Sequence, residues 1–176
     1  MTMLEHGGNL LRAAEEFGVP PERWLDLSTG ISPFGYPVPP VPDWAWQCLP
    51  NCDDALRRAA ADYYRTSGSL PVPGTQAAIQ ALPRLRPHSR VTLPILTYSE
   101  HGHAWRRYGH SVREMPAREF EKQLGQTDVL IVCNPNNPTG ENTEPRQLLE
   151  WQARLAARGG WLVLDEAYID ATPEHS

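Results

Sequence analysis

Two apolar runs that both end in polar residues constrain this chain more than any other feature. Residues 128–140 read DVLIVCNPNNPTG, residues 141–160 read ENTEPRQLLEWQARLAARGG, and residues 161–170 read WLVLDEAYID. A continuous apolar run of this length suits a strand buried on both faces, as in a parallel sheet. Pro145 marks the start of the intervening helix, and Gly159-Gly160 mark its end. The stretch is therefore a β-loop-α-β unit. In open α/β sheets, ligands bind beyond the carboxyl ends of the strands, which is where this unit carries its Asn, Asp and Tyr residues.

The rest of the chain repeats that alternation. RVTLPIL (90–96) predicts a buried strand, 99–108 a helix, HSVREM (110–115) a short strand and 117–124 a helix. Thr75 is placed to cap a short helix through Leu82, ended by Pro83. Further upstream, residues 5–17 contain a helix with Asn9 as its cap, and Gly18 with Pro20 and Pro21 stops it. Leu25 and Leu27 alternate with polar residues in an extended piece. Prolines and glycines from Ser32 to Pro42 leave no room for regular structure. Asp53 or Asp54 begins a helix reaching Thr66. The order βαβαβ predicts an α/β fold, a three-layer α/β/α architecture on a mostly parallel sheet. We expect residues 1–42 to form an N-terminal helix and extended segment, and 43–176 to form the sheet-bearing part.

Composition excludes several function classes. The 176 residues carry a net charge of −5, so there is no basic footprint for nucleic acid. No apolar run approaches the roughly 20 residues of a membrane span, and the first residues lack the pattern of a secretory signal. Cys48, Cys52 and Cys133 make no disulfide framework, which favours a reduced, cytoplasmic setting.

Several residues at strand ends and helix starts carry chemistry. In NPNNPTG the prolines and glycine stiffen the backbone, so Asn137 either presents its amide to a ligand oxygen or bonds only its own turn. Asp165, directly after WLVL, is either a partner for a protonated heterocyclic nitrogen or a helix cap. Tyr168 is either a phenol donor beside it or a packed aromatic. Gly74, Thr75 and Gln76 open a helix whose free N–H groups suit a phosphate, or form a plain cap. Tyr98 follows a strand and can stack on a planar ligand. His101 and His103 face different sides of a helix, and with Cys48 and Cys52 far away in sequence no zinc pattern is read. There is no Walker or GxGxxG motif.

Taken together and in order, the glycine-led helix start, the aromatic after the next strand, NPNNPTG and DEAYID resemble the fold-type I pyridoxal-phosphate enzymes of the aspartate aminotransferase superfamily. The resemblance implies pyridoxal 5'-phosphate as cofactor. By position it implies that Gly74, Thr75 and Gln76 hold its phosphate and that Tyr98 stacks on its ring. Asn137 and Tyr168 would bond the ring hydroxyl oxygen, and Asp165 would pair with the pyridine nitrogen. The opening EHGGNLLRAAEEFG and LDLSTGISPFGYP are similar to the threonine-phosphate decarboxylases of cobalamin synthesis. By that likeness His6, Gly7 and Gly8 lie at the substrate, with His6 near its phosphate, and Thr29, Gly30 and Ile31 line the substrate side. The implied reaction converts L-threonine O-3-phosphate to (R)-1-amino-2-propanol O-2-phosphate and carbon dioxide, in a homodimer. The rival implication is an aminotransferase of the histidinol-phosphate type.

One member of the implied set is missing. The Schiff-base lysine is expected beyond DEAYID, past another strand, and the chain's only lysine is Lys122 on the helix before DVLIVC. The expectation is an incomplete large domain from a longer enzyme, inactive as a catalyst by itself, or else a cofactor-binding remnant.

Overall fold

The computed structural model describes residues 7–32, 34–49 and 54–173. His6 and Asp53 lie outside them. The chain packs as two compact units, Met1–Ser69 and Leu70–Ser176. The expected division at residue 42 separates a substrate-side segment from a cofactor-side one and remains a proposal.

The Leu70–Ser176 unit is built on four parallel strands. These are β1 (Arg90–Pro94), β2 (Ser111–Met115), β3 (Val129–Cys133) and β4 (Trp161–Asp165), in the order β2-β1-β3-β4. Val91 of β1 is the register partner of both Val112 and Val129, while Cys133 pairs with Asp165. All five residues of β3 are buried. Because side chains alternate across a strand, its apolar run divides between two faces. Leu130 and Val132 pack with Phe120, Leu124, Leu148, Trp151 and Leu155, whereas Val129 and Ile131 pack with Val91, Leu93 and Trp105. One sequence run thus supplies two cores, which is why the fold has three layers.

The helices follow from the same logic. α4 (Thr75–Ala81) and α5 (Ser99–Arg107) precede and follow β1. α6 (Phe120–Gln123) leads to β3, and α7 (Pro145–Ala156) joins β3 to β4. Connections between parallel strands are right-handed. A chain that builds outward from β1 to β2, then crosses back to β3 and β4, therefore places its helices on opposite faces. α7 begins with Pro145 and its end is closed by the Gly160 N–H donating to the Leu155 carbonyl at 2.8 Å. Leu155 is fully buried, so Leu155→Ala would cost about 3 kcal/mol.

Several boundaries differ from expectation. β1 ends at Pro94 rather than at residue 96, leaving Ile95 and Leu96 exposed in a bend. Pro83 does not end structure but sits at the start of a 3-10 turn, Leu82–Leu85. The helix expected over 117–124 is three short turns, of which only Phe120–Gln123 is α-helical. Thr75 is the first residue of α4, not its cap. Gly74 caps it with φ +81° and ψ 160°, a backbone position that side-chain-bearing residues rarely adopt.

The Met1–Ser69 unit holds α1 (Leu10–Phe17), α2 (Trp44–Gln47) and α3 (Asp54–Tyr64). The Asn9 side chain accepts the Arg12 N–H at 3.2 Å, as the sequence predicts, and Gly18 ends α1 in the left-handed region. The described residues of the proline-rich stretch have no regular structure up to α2, a short helix that the sequence reading missed. None of the described residues in this unit is buried, and Leu25, Leu27, Ile31, Phe34 and Tyr36 are all exposed.

Candidate functional site

The strand order reverses between β1 and β3. At such a switch point the loops leaving the two strands diverge to opposite faces and open a crevice at their carboxyl ends. A cavity of about 230 Å³ lies there, lined by Thr75, Tyr98, Cys133, Pro135, Asn137, Asp165, Ala167 and Tyr168. Tyr98 leaves β1, Cys133 and Asn137 end β3, and Asp165 ends β4. A larger and more open hollow of about 530 Å³ is lined by residues of α7 and the segments near it, including Arg118, Glu121, Arg146 and Glu150. Three of its charged residues already have partners: Arg146 and Glu150 pair with each other, and Glu121 accepts from Arg154 and the Trp151 indole. The smaller cavity is where unlike chemical groups converge, and it is the better candidate.

The NPNNPTG loop divides its asparagines by task. Asn134 is fully buried; its side-chain oxygen accepts the Thr143 N–H at 2.7 Å and its amide donates to the Thr143 carbonyl at 3.2 Å. Asn136 donates to the Leu96 carbonyl and to Thr139 Oγ1, both at 2.7 Å, and accepts from Thr97 Oγ1 at 2.7 Å. These two tie the loop to itself and to the end of β1. The Asn134-Pro135 and Asn137-Pro138 peptide bonds are both cis. Asn137 is the asparagine at the cavity.

Asp165 has fixed partners on both oxygens. Oδ2 lies 2.8 Å from His101 Nε2, and Oδ1 accepts the Ala167 N–H at 3.1 Å. The His101 side chain is 3% exposed and that of Asp165 is 10% exposed, so the pair sits in a medium that screens it little. The hydrogen bond from His101 is the largest influence on Asp165 and holds it below the usual carboxylate range, against its burial. For His101, burial is the largest single influence and pushes the imidazole down. Its hydrogen bonds with Asp165 and Cys133, and their charges, outweigh burial and raise it to about 9. A carboxylate retains further acceptor capacity beyond two bonds, so Asp165 can still receive a proton donor from the cavity. Burial, followed by the charges of Glu100 and Asp165, raises the Tyr98 phenol above its ordinary value, so it stays protonated.

Of the expected cofactor residues, Thr75, Tyr98, Asn137, Asp165 and Tyr168 line this cavity, while Gly74 and Gln76 flank Thr75. The Gln76 amide donates to Glu100 Oε2 at 2.7 Å. Sequence reasoning missed His101 as a partner of Asp165. The available signal was its position three residues after Tyr98, which puts the two on neighbouring points of a helix surface. Their rings stand edge-on with centroids 6.3 Å apart. It also missed that His101, Cys133 and Asp165 bring their ligand-type atoms within 4.8 Å of one another. Lys122 is exposed on α6 and is not at the cavity.

The substrate-side residues fall in the Met1–Ser69 unit. The Gly8 N–H donates to Ser28 Oγ at 2.8 Å. A Cβ on Gly7 would stand 1.8 Å from the Ser28 carbonyl oxygen, so only glycine allows this approach. Gly7 and Gly8 therefore lie against Ser28 and Thr29, with Gly30 and Ile31 following, all of them exposed.

Known proteins share this arrangement of sequence. The aminotransferase class I and II family matches residues 47–176. A threonine-phosphate decarboxylase of Pseudomonas aeruginosa is 53% identical over 174 residues, which cover 99% of this chain and 53% of that protein. The crystal structure of L-threonine-O-3-phosphate decarboxylase from Porphyromonas gingivalis is similar with a TM-score of 0.56 at 26% identity, covering 65% of this chain and 38% of that one. Aminotransferase AspB from Helicobacter pylori shares the fold with a TM-score of 0.67 at 21% identity, over 94% of this chain and 52% of that one. The chain spans about half the length of the curated relatives it matches.

Proposed function

The chain belongs to the aminotransferase class I and II family, and from that membership we propose that it seats pyridoxal 5'-phosphate within an enzyme that decarboxylates L-threonine O-3-phosphate to (R)-1-amino-2-propanol O-2-phosphate in cobalamin synthesis. The observation that carries this reading is the meeting of Thr75, Tyr98, Asn137, Asp165 and Tyr168 around one cavity. The donor set fits the cofactor. Asp165 is an anion with spare acceptor capacity, Tyr98 is a neutral ring, Asn137 offers an amide and Tyr168 a hydroxyl, and Gly74 lets the backbone close on a phosphate.

Each residue has a physical task. Asp165 holds a proton on the pyridine nitrogen, because a depressed carboxylate favours a cation beside it. His101 fixes the rotation of that carboxylate through Nε2. Tyr98 would stack on the ring and keep water from it. Asn137 and Tyr168 would donate to the ring oxygen and orient the cofactor, and Gly74, Thr75 and Gln76 would hold the phosphate. Pyridoxal phosphate, when bound, supplies the electron sink for a bond broken at the substrate α-carbon, while the protein supplies orientation and electrostatics. His6, Gly7, Gly8, Thr29, Gly30 and Ile31 form the substrate side, with His6 at the substrate phosphate. A cytoplasmic homodimer acting on a small phosphorylated amino acid completes the proposal. Among the described residues no helix is long and apolar enough to cross a membrane.

The test is incubation of the enzyme that carries this chain with L-threonine O-3-phosphate and pyridoxal phosphate. Carbon dioxide release without an oxo-acid acceptor is the expected result. Stoichiometric consumption of glutamate would replace decarboxylation with amino transfer.

A further inference from the structure

We propose that His101, Cys133 and Asp165 form a binding site for a zinc-class divalent cation at the floor of the cavity. The three ligand-type atoms lie within 4.8 Å of one another, and rigid elements bring them together. Cys133 and Asp165 are register partners at the ends of β3 and β4, so the pleat turns both side chains to the same face of the sheet. His101 reaches them from the first turns of α5, with Nε2 already 2.8 Å from Asp165 Oδ2.

The ligand set selects the metal. Sulfur with imidazole and a single carboxylate suits zinc or cobalt, whereas magnesium and calcium require oxygen ligands. Bonds of about 2.3 Å to sulfur and about 2.1 Å to nitrogen and oxygen place tetrahedral ligand atoms roughly 3.3–3.6 Å apart. His101 and Asp165 must therefore part by roughly half an ångström, and the sulfur must close in from at most 4.8 Å. Both movements are within reach of side-chain rotation. Three protein ligands leave the fourth position open to the cavity, where a water can enter. Outer contacts are already in place: Thr97 Oγ1 lies 3.2 Å from Cys133 Sγ and the Ala167 N–H donates to Asp165 Oδ1. Such contacts fix ligand orientation. The cation takes the place of the proton between Nε2 and Oδ2 and of the thiol proton, and both are released to solvent.

One consequence rests on the proposed function. If Asp165 pairs with the pyridine nitrogen, the cation and the cofactor claim the same carboxylate and exclude each other.

Cobalt(II) titrated into the chain, free of pyridoxal phosphate, reads the site directly through the thiolate-to-cobalt charge-transfer band in the near ultraviolet. We expect one equivalent to develop the band and zinc to bleach it. The Cys48→Ser, Cys52→Ser double variant should keep the band, Cys133→Ser should lose it, and His101→Asn should weaken binding by roughly tenfold or more. Zinc should also slow iodoacetamide labelling of Cys133 in the unsubstituted chain, a readout independent of whether the variants fold. Absence of the band, its survival in Cys133→Ser, or unprotected Cys133 would overturn the site. A zinc-loaded chain that binds pyridoxal phosphate unchanged would overturn the sharing of Asp165 and leave the metal site standing. A chain that binds zinc but never binds the cofactor would instead count against the proposed function.

Discussion

At the amino ends of the strands, polar side chains turn on the backbone; at the carboxyl ends, they turn on a cavity. Arg90 and Asp128 join the starts of β1 and β3 through contacts of 2.7 and 3.0 Å between side chains and 2.8 Å from the Arg90 N–H. Arg158 donates to the carbonyls of Leu124, Gly125 and Thr127. Buried His110 accepts the Ser89 N–H at 3.2 Å and donates to the Pro83 carbonyl at 2.9 Å. Donors and acceptors there are matched, and the ends of helices and strands are closed. At the carboxyl ends, Asn134 and Asn136 do the same closing work, while Asn137, Asp165, Tyr98 and Tyr168 line the cavity. A site is thus recognised by which polar groups converge on one cavity, and not by how many polar groups are present.

The sharpest way to break this comparison is Asp165→Ala. It should lower pyridoxal-phosphate affinity by roughly 100-fold, since a charge-assisted hydrogen bond contributes up to about 3 kcal/mol. It should also destabilise the unit by about 3 kcal/mol by leaving the His101 imidazolium unpaired. Absorbance titration and urea unfolding measure the two, and unchanged affinity would remove Asp165 from the site. His110→Ala should cost about 2–3 kcal/mol through its cavity and two unpaired backbone groups, yet leave affinity within about twofold. A large loss of affinity would mean that the two ends are not independent.

The pH dependence of the His101–Asp165 pair follows from the signs of its shifts. His101 is raised from 6.5 to about 9 in the folded state, so its contribution is full below 6.5 and is lost as pH rises through about 9. Asp165 is lowered from 3.8, so its contribution is present above 3.8 and is lost as pH falls through the depressed value. The stability difference between the unsubstituted chain and His101→Asn should form a plateau between about pH 4 and pH 6.5, about 2 kcal/mol high, declining as pH rises from 6.5 through about 9 and as it falls below 3.8. A flat difference would show that the pair is not ionic.

Arg90→Ala should have the smallest effect, because the pair is partly exposed to solvent. Asp128 is held at about 2, first by its hydrogen bond to Arg90. The loss should therefore be complete above 3.8 and vanish as pH falls through about 2, with cofactor affinity unchanged. Lys122, exposed on α6, should take up no stoichiometric label on borohydride treatment with pyridoxal phosphate, by mass spectrometry.

The amino-acid sequence by itself determined the elements and the main cofactor candidates. Continuous apolar runs and helical segments bounded by Pro145, Gly74 and Gly160 are local physics, readable residue by residue. NPNNPTG and DEAYID are contiguous, so their place at strand ends follows from the strands themselves. The resemblance pointed to Asn137, and the tertiary structure supplied the physical reason it is the asparagine at the cavity, because Asn134 and Asn136 are claimed by Thr143, Leu96 and Thr97, two of them far away in sequence. The tertiary structure alone joined His101 to Asp165, 64 positions apart, and set Cys133 beside them. Contacts across strands and between a helix and a sheet depend on register and packing, and no local pattern encodes those distances.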